Sequence, residues 1–251
     1  MCFPGKRQKK LLADEEKQSK PPASASAAPA ASAKPDPAPV TSTATANGKM
    51  APKVAIIIYS MYGHIAKLAE SVKAGVVEAG GTATILQVAE TLPQDVLTKM
   101  GAPAKPDYPV IEPDQLVDYD AFLFGIPTRY GNFPAQWKAF WDATGGLWAK
   151  GALAGKYAGV FVGTGTQGGG QEATVLNSIS TLTHHGILYV PLGYSTTFDI
   201  ISNLSEVHGG SPWGAGTFTA ADGSRQPSAL ELELGTRHGK YFYGIVSKVS
   251  F

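Results

Sequence analysis

Residues 54–65 read Val-Ala-Ile-Ile-Ile-Tyr-Ser-Met-Tyr-Gly-His-Ile, and they constrain the fold more than any other stretch. A short, unbroken, β-branched run fits a strand buried on both faces. The run stops at Ser60 and Gly63. Apolar residues then recur at Ile65, Leu68, Ala69, Val72, Val76 and Ala79, which is helical spacing. A strand, a tight polar loop and a helix start together make an anion site, because free backbone N–H groups and the positive end of the helix dipole face the loop. No Gly-Lys pair in this chain is followed by Ser or Thr, so the signature of triphosphate hydrolysis is missing.

The same alternation continues along the chain. Residues 82–88, 121–125, 156–163 and 187–190 read as further strands, and 134–144, 171–185 and 231–248 as helices. Gly235, Gly239 and Gly244 weaken the last helix. Residues 90–118 read as Pro-rich loop with one helical turn near 95–100, and 191–235 as a long Gly-rich irregular segment. Such long loops inside a domain are often functional. Five strands alternating with helices predict an α/β, doubly wound, five-stranded parallel sheet with helices on both faces. Ligands in such sheets lie beyond the carboxyl ends of the strands. That rule singles out the loops at 60–64, 126–133 and 164–170.

Charge and composition narrow the partners. Residues 1–49 carry eight Lys/Arg against four Asp/Glu, which leaves 13 against 16 for residues 50–251. An acidic body without a basic face argues against nucleic acid. The single cysteine, Cys2, permits neither an intrachain disulfide nor a cysteine metal site, and it suits a reducing, cytoplasmic setting. No apolar run reaches transmembrane length. Residues 21–47 are almost all Pro, Ala, Ser and Thr, so residues 1–49 read as a disordered tail and 50–251 as the folded domain. Met50 is a candidate second start. Cys2 lies beside Lys6, Arg7, Lys9 and Lys10. An acylated Cys2 and this basic cluster would supply the two signals that peripheral attachment to the inner face of the plasma membrane requires.

Each loop also has a plainer reading. The first loop is either a phosphate site or an ordinary βα turn. In the second, Pro127 and Gly131 are turn residues, while Arg129 and the aromatics either frame a flat polar ring or stand in solvent. The third contains a literal G-x-G-x-x-G from Gly163 to Gly168. It is not a dinucleotide fingerprint, because it does not open the first βαβ unit and no acid ends the following strand. His184 and His185 end a helix, where the dipole alone favours them. Trp148 follows two glycines, as a stacking ring or as a core anchor. No catalytic triad order or His-x-x-x-His spacing supports a hydrolase or a metal enzyme.

Taken together, several segments resemble the WrbA-type NAD(P)H:quinone oxidoreductases, a family of flavodoxin-like flavoproteins. They are Tyr59–Ile65 (YSMYGHI), Gly125–Asn132 (GIPTRYGN), Thr144–Trp148 (TGGLW), Gly163–Glu172 (GTGTQGGGQE), Leu182–Gly186 (LTHHG), Gly209–Ala215 (GGSPWGA) and Asp222–Ser228 (DGSRQPS). Their order and spacing across residues 53–250 make the set specific. Tyr62 and Ile65 stand where ordinary flavodoxins usually have Thr, and Gln167 precedes the glycine triplet where some bacterial members are one residue shorter.

The resemblance implies FMN and NAD(P)H as cofactors and quinones as substrates. It places the FMN phosphate on Ser60, Met61, Tyr62, Gly63, His64 and Ile65. The isoalloxazine would lie between Pro127, Thr128, Arg129, Tyr130, Gly131, Asn132 and Phe133 on one side and Thr164, Gly165, Thr166, Gln167, Gly168 and Gly169 on the other. His184 would sit at the flavin edge as the catalytic residue, Tyr62 on the nicotinamide nucleotide, and Trp148 on the substrate face. It also implies a homotetramer with sites near subunit interfaces. A two-electron, ping-pong quinone reduction is the expected activity. A one-electron carrier and a membrane-associated scaffold are the alternatives.

Overall fold

The computed structural model describes residues 51–251. The tail, the Cys2 cluster and the Met50 start therefore lie outside the described residues.

Strand β1 (Val54–Ile58) is buried at every position. It feeds helix α1 (His64–Glu78), strand β2 (Ala83–Gln87) and a short helix α2 (Gln94–Lys99). Strand β3 (Ala121–Pro127) leads into α3 (Ala135–Asp142) and a five-residue helix α4 (Gly145–Ala149). Strand β4 (Tyr157–Thr164) is followed by α5 (Gln171–His184), then β5 (Leu188–Tyr189), α6 (Phe198–Ile201), β6 (Gly216–Phe218) and α7 (Ala229–Val246). The strands are all parallel, in the order β2-β1-β3-β4-β5.

The expected five columns are present, but the fifth is divided. β5 pairs with Tyr157 and Ala158 at the start of β4, whereas β6 pairs with Val162–Thr164 at its end. The 191–235 segment, read from sequence as irregular, thus leaves the sheet and returns to it. Its return brings residues 219–223 to the carboxyl edge. Two further features are local: a 3₁₀ turn forms at Pro113–Asp118, and the Gly145–Gly146 pair starts α4.

Alternate strand residues feed two cores. Ala55, Ile57, Phe122 and Phe124 face α3 and α5, where Trp137 and Trp141 pack edge-on against Phe124. Val54, Ile56, Ile58, Ala121 and Leu123 face α1 and α7. The glycines of α7 have a packing reason. A β-carbon on Gly239 would stand 1.9 Å from the Val72 carbonyl oxygen, and one on Gly75 would stand 1.8 Å from that of Thr236. The two helix backbones therefore touch, which only glycine allows. Gly244 meets nothing within 4 Å and has no such reason.

Candidate functional site

A cleft of about 280 Å³ opens at the carboxyl edge of the sheet. The loops after β1, β3, β4 and β6 all reach it.

The loop after β1 supplies Ser60, Met61, Tyr62, His64 and Ile65. Gly63 turns the chain into α1 with φ +90, and no side chain caps the helix there. The Ala66 amide donates to Ser60 Oγ at 3.3 Å and the Lys67 amide to the Gly63 carbonyl oxygen at 3.0 Å. Among the described residues, the amides of Gly63, His64 and Ile65 meet no acceptor. Three unpaired donors on a helix N-terminus fit the phosphate of a nucleotide.

A network behind this loop was not visible in the sequence. Lys105 Nζ donates to the Ser60 carbonyl oxygen at 2.8 Å and pairs with Glu90 at 2.9 Å. It also lies 4.4 Å from the centre of the Tyr59 ring. Glu90 further accepts from the Tyr59 hydroxyl at 2.9 Å and from Gln136 Nε2 at 3.0 Å. Burial alone would raise the Glu90 carboxyl, but Lys105, the Leu92 amide and the Tyr59 hydroxyl hold it below the usual range.

After β3, Pro127, Thr128 and Arg129 line the cleft. The Thr128 amide donates to the Gly163 carbonyl oxygen at 2.9 Å. Its hydroxyl lies 2.7 Å from that of Thr174, whose own proton goes to Gly170, so Thr128 is the donor. Arg129 and Asn132 then exchange two backbone bonds around Tyr130 and Gly131, with φ 55 and 71. Positive φ at both central residues is a type I′ turn. At Tyr130 it costs roughly 1–2 kcal/mol, the usual penalty for a non-glycine residue there. The tyrosine on this turn stands fully in solvent, with 104% relative exposure. Tyr130, Asn132 and Phe133 line an adjoining cavity rather than the first cleft.

The loop after β4 contributes Gly163, Thr164 and Gly165 only. Thr166, Gln167, Gly168 and Gly169 fold back instead, with Thr164 Oγ1 and the Gly169 amide both donating to the Thr166 carbonyl oxygen. Gly131 lies against Gly170 and contributes a carbonyl oxygen to Asn177.

The fourth wall, Thr219, Ala220, Ala221, Asp222 and Gly223, escaped the site prediction. Glu231, 0% exposed, holds it. Its carboxylate accepts from Thr217 Oγ1 at 2.8 Å, from the Gly209 amide at 2.8 Å and from Arg225 Nη1 at 2.9 Å. Ser228 and Glu231 also form a reciprocal capping box on α7. That Ser-x-x-Glu signal is legible in the sequence. His64 Nε2 faces the Gly223 carbonyl oxygen at 3.1 Å, so Nε2 carries the proton and ties the fourth loop to the first. Burial pushes the His64 pKa down despite this bond.

Two predicted site residues lie elsewhere in the protomer. Helix α5 starts beside Gly131 and ends at His184, next to the start of β4. At ~1.5 Å per residue this puts His184 about 20 Å from the cleft. Trp148 projects from α4, 58% exposed. The Thr144 hydroxyl that precedes α4 is bonded to His185 at 2.9 Å, so Trp148 belongs to the same amino edge.

Comparison with known proteins accords with this geometry. Residues 52–197 match the family described as NADPH-dependent FMN reductase. NAD(P)H quinone oxidoreductase PST3 of Candida albicans is 65% identical over 199 residues, spanning 79% of this chain and 100% of that protein. Protoplast secreted protein 2 of Saccharomyces cerevisiae is 64% identical over 197 residues, spanning 78% and 99%. Among solved structures, the flavodoxin, WrbA-like protein from Agrobacterium tumefaciens matches with a TM-score of 0.53 at 20% identity, covering 78% of this chain and 98% of that one. At that identity it supports the flavodoxin-like fold alone.

Proposed function

The chain belongs to the NADPH-dependent FMN reductase family, and from that premise we propose that it is an FMN-dependent NAD(P)H:quinone oxidoreductase of the WrbA branch. The observation that carries this reading is the convergence of four loops on one cleft whose floor is the uncapped N-terminus of α1.

The residues present fit FMN. The amides of Gly63, His64 and Ile65 would receive its phosphate, and Ser60 Oγ, already bonded to Ala66, would hold the loop in shape. Pro127–Arg129 and Gly163–Gly165 would frame the ring from two sides, and Thr219–Gly223 would close the third. Bound FMN supplies the redox chemistry, accepting hydride from NAD(P)H and delivering two electrons to a quinone. The protein orients both reactants and screens the ring from water. Tyr62, 41% exposed at the cleft mouth, would meet the nicotinamide nucleotide. One open cleft serving two flat ligands in turn implies ping-pong kinetics.

His184 and Trp148 act in this reading only from a neighbouring copy, since the protomer holds them at the opposite edge. That arrangement requires an oligomer in which the amino edge of one chain meets the carboxyl edge of another, and the homotetramer implied by the resemblance is one such assembly. His184 would then donate a hydrogen bond to the flavin pyrimidine edge or the quinone oxygen. No described helix is long and apolar enough to cross a membrane. Attachment through an acylated Cys2 and the basic residues near it stands as a separate proposal, and unchanged membrane fractionation of Cys2→Ser would remove it.

Steady-state kinetics with NADPH and 1,4-benzoquinone test the activity. Parallel double-reciprocal lines support alternate occupancy of one cleft, and intersecting lines contradict it. Absence of quinone turnover by the flavin-loaded protein would leave a carrier role.

A further inference from the structure

The cleft adjoins a second cavity that the proposed reaction has not used. Its volume is about 610 Å³, inside the roughly 300–1,000 Å³ range of small-molecule sites. Met61 and Arg129 line both cavities, whereas Lys138 lines only the second. No carboxylate lines it, although residues 50–251 hold 16 acidic side chains against 13 basic ones. The charged side chains that line the cavity are therefore both cationic, with the Glu90 carboxylate behind the lining, bonded to the Leu92 amide and to Gln136.

Both cations are available. Arg129 pairs with no carboxylate among the described residues, and its Nη1 donates to the Thr128 carbonyl oxygen at 2.9 Å. Lys138 meets Asp142 one helical turn away, with both side chains more than 60% exposed. Such exposed pairs are weak and readily exchanged. Beside Arg129 stands Tyr130, exposed to solvent on its left-handed backbone. An exposed aromatic next to unpaired positive charge suits a nucleotide, whose base stacks and whose phosphates pair.

We propose that this second cavity binds the adenosine end of NADPH and makes the 2′-phosphate a recognised group. Tyr130 stacks on the adenine, Arg129 at the junction forks onto the pyrophosphate, and Lys138 takes the 2′-phosphate. The order follows from the lining, because Arg129 borders the flavin cleft and Lys138 does not. An arginine fork suits a bridging phosphate and a lysine suits a terminal one as a point charge. The inference rests on the reductase reading of the first cleft and deepens it by naming the preferred electron donor.

The test compares binding of 2′,5′-ADP and 5′-AMP, which differ only by the 2′-phosphate, to the full-length, FMN-loaded protein by calorimetry. The wild type should bind 2′,5′-ADP about tenfold more tightly, the ratio that ~1.4 kcal/mol supplies. Lys138→Gln should abolish that preference, and Asp142→Asn should widen it. Equal affinities in the wild type, or a preference that survives Lys138→Gln, overturn the inference. Anaerobic bleaching by NADH and by NADPH separates the two claims. If 2′,5′-ADP is preferred but neither reductant bleaches the flavin, the site stands and the reductase reading falls. If both reductants bleach it equally and both nucleotides bind alike, the reading stands and the inference falls.

Discussion

At the carboxyl edge of the sheet His64 turns Nε2 toward Gly223 and closes a cleft. At the amino edge His185 turns Nε2 toward Thr144, whose own proton goes to Trp141, and closes nothing. The latter bond leaves His185 Nδ1 bare and buried, beside an equally unpaired Trp141 Nε1. Both edges thus carry histidine and aromatic residues, and burial depresses both imidazoles. What separates them is how the loops gather. At the carboxyl edge the loops after β1, β3, β4 and β6 converge on one cleft around the start of α1, while at the amino edge the start of α4 is tied to the end of α5 through Thr144 and His185. Residue type alone therefore does not locate a site, and the convergence of loops on a cleft does.

The comparison breaks first at Glu231. Removing a buried carboxylate and stranding its partner costs about 3–5 kcal/mol. Glu231→Gln should lower urea stability by that order and loosen the 219–223 wall, with a matching loss of FMN affinity. Gly239→Ala tests a different weak point. Its new β-carbon would strike the Val72 carbonyl oxygen, and such overpacking costs typically ~1–3 kcal/mol, occasionally more. Thermal unfolding would show the loss, with cleft residues untouched.

Acid should act through the buried histidines at both edges and beneath the sheet. His238 is fully buried, and its pKa falls from 6.5 to about 4. The folded state therefore binds fewer protons than the unfolded one. Stability is full above pH ~6.5 and lost as pH falls toward 4, by about 3 kcal/mol at ~1.36 kcal/mol per unit. His64 and His185 shift the same way and add to the loss. A urea-stability profile that stays flat from pH 7 to 4 would contradict the burial account.

Smaller changes sharpen the contrast between edges. Ser60→Ala should cost about 1 kcal/mol, the worth of an N-terminal side-chain bond, and weaken FMN severalfold. Gly244→Ala, with open space around it, should instead gain up to about 1 kcal/mol in thermal stability. Trp148→Ala should leave FMN affinity unchanged. If quinone KM rises only under conditions where the protein is tetrameric, the amino edge completes the site of a neighbour.

The α/β fold was legible because each buried strand is a compact apolar run between turn residues. The strand-end rule singled out the loops at 60–64, 126–133 and 164–170 for the same reason, and part of each lines the cleft: residues of 60–64, Pro127–Arg129 and Thr164–Gly165. The 219–223 wall was not legible, because its strand, Gly216–Phe218, is three residues long and pairs only after a long excursion. No local pattern marks a strand that short. Glu90 and Lys105 escaped for a related reason: they are 15 residues apart in a Pro-rich stretch and meet only in space. His184 and Trp148 were expected at the cleft by resemblance, which carries residues over without saying which subunit presents them.

The most direct test is an absorbance titration of the purified protein with FMN, followed by anaerobic NADPH and then 1,4-benzoquinone. The account predicts tight flavin retention, bleaching by NADPH and full recovery of the oxidised spectrum with quinone. Failure to retain FMN, or a bound flavin that NADPH leaves oxidised, would contradict the assignment of the carboxyl-edge cleft.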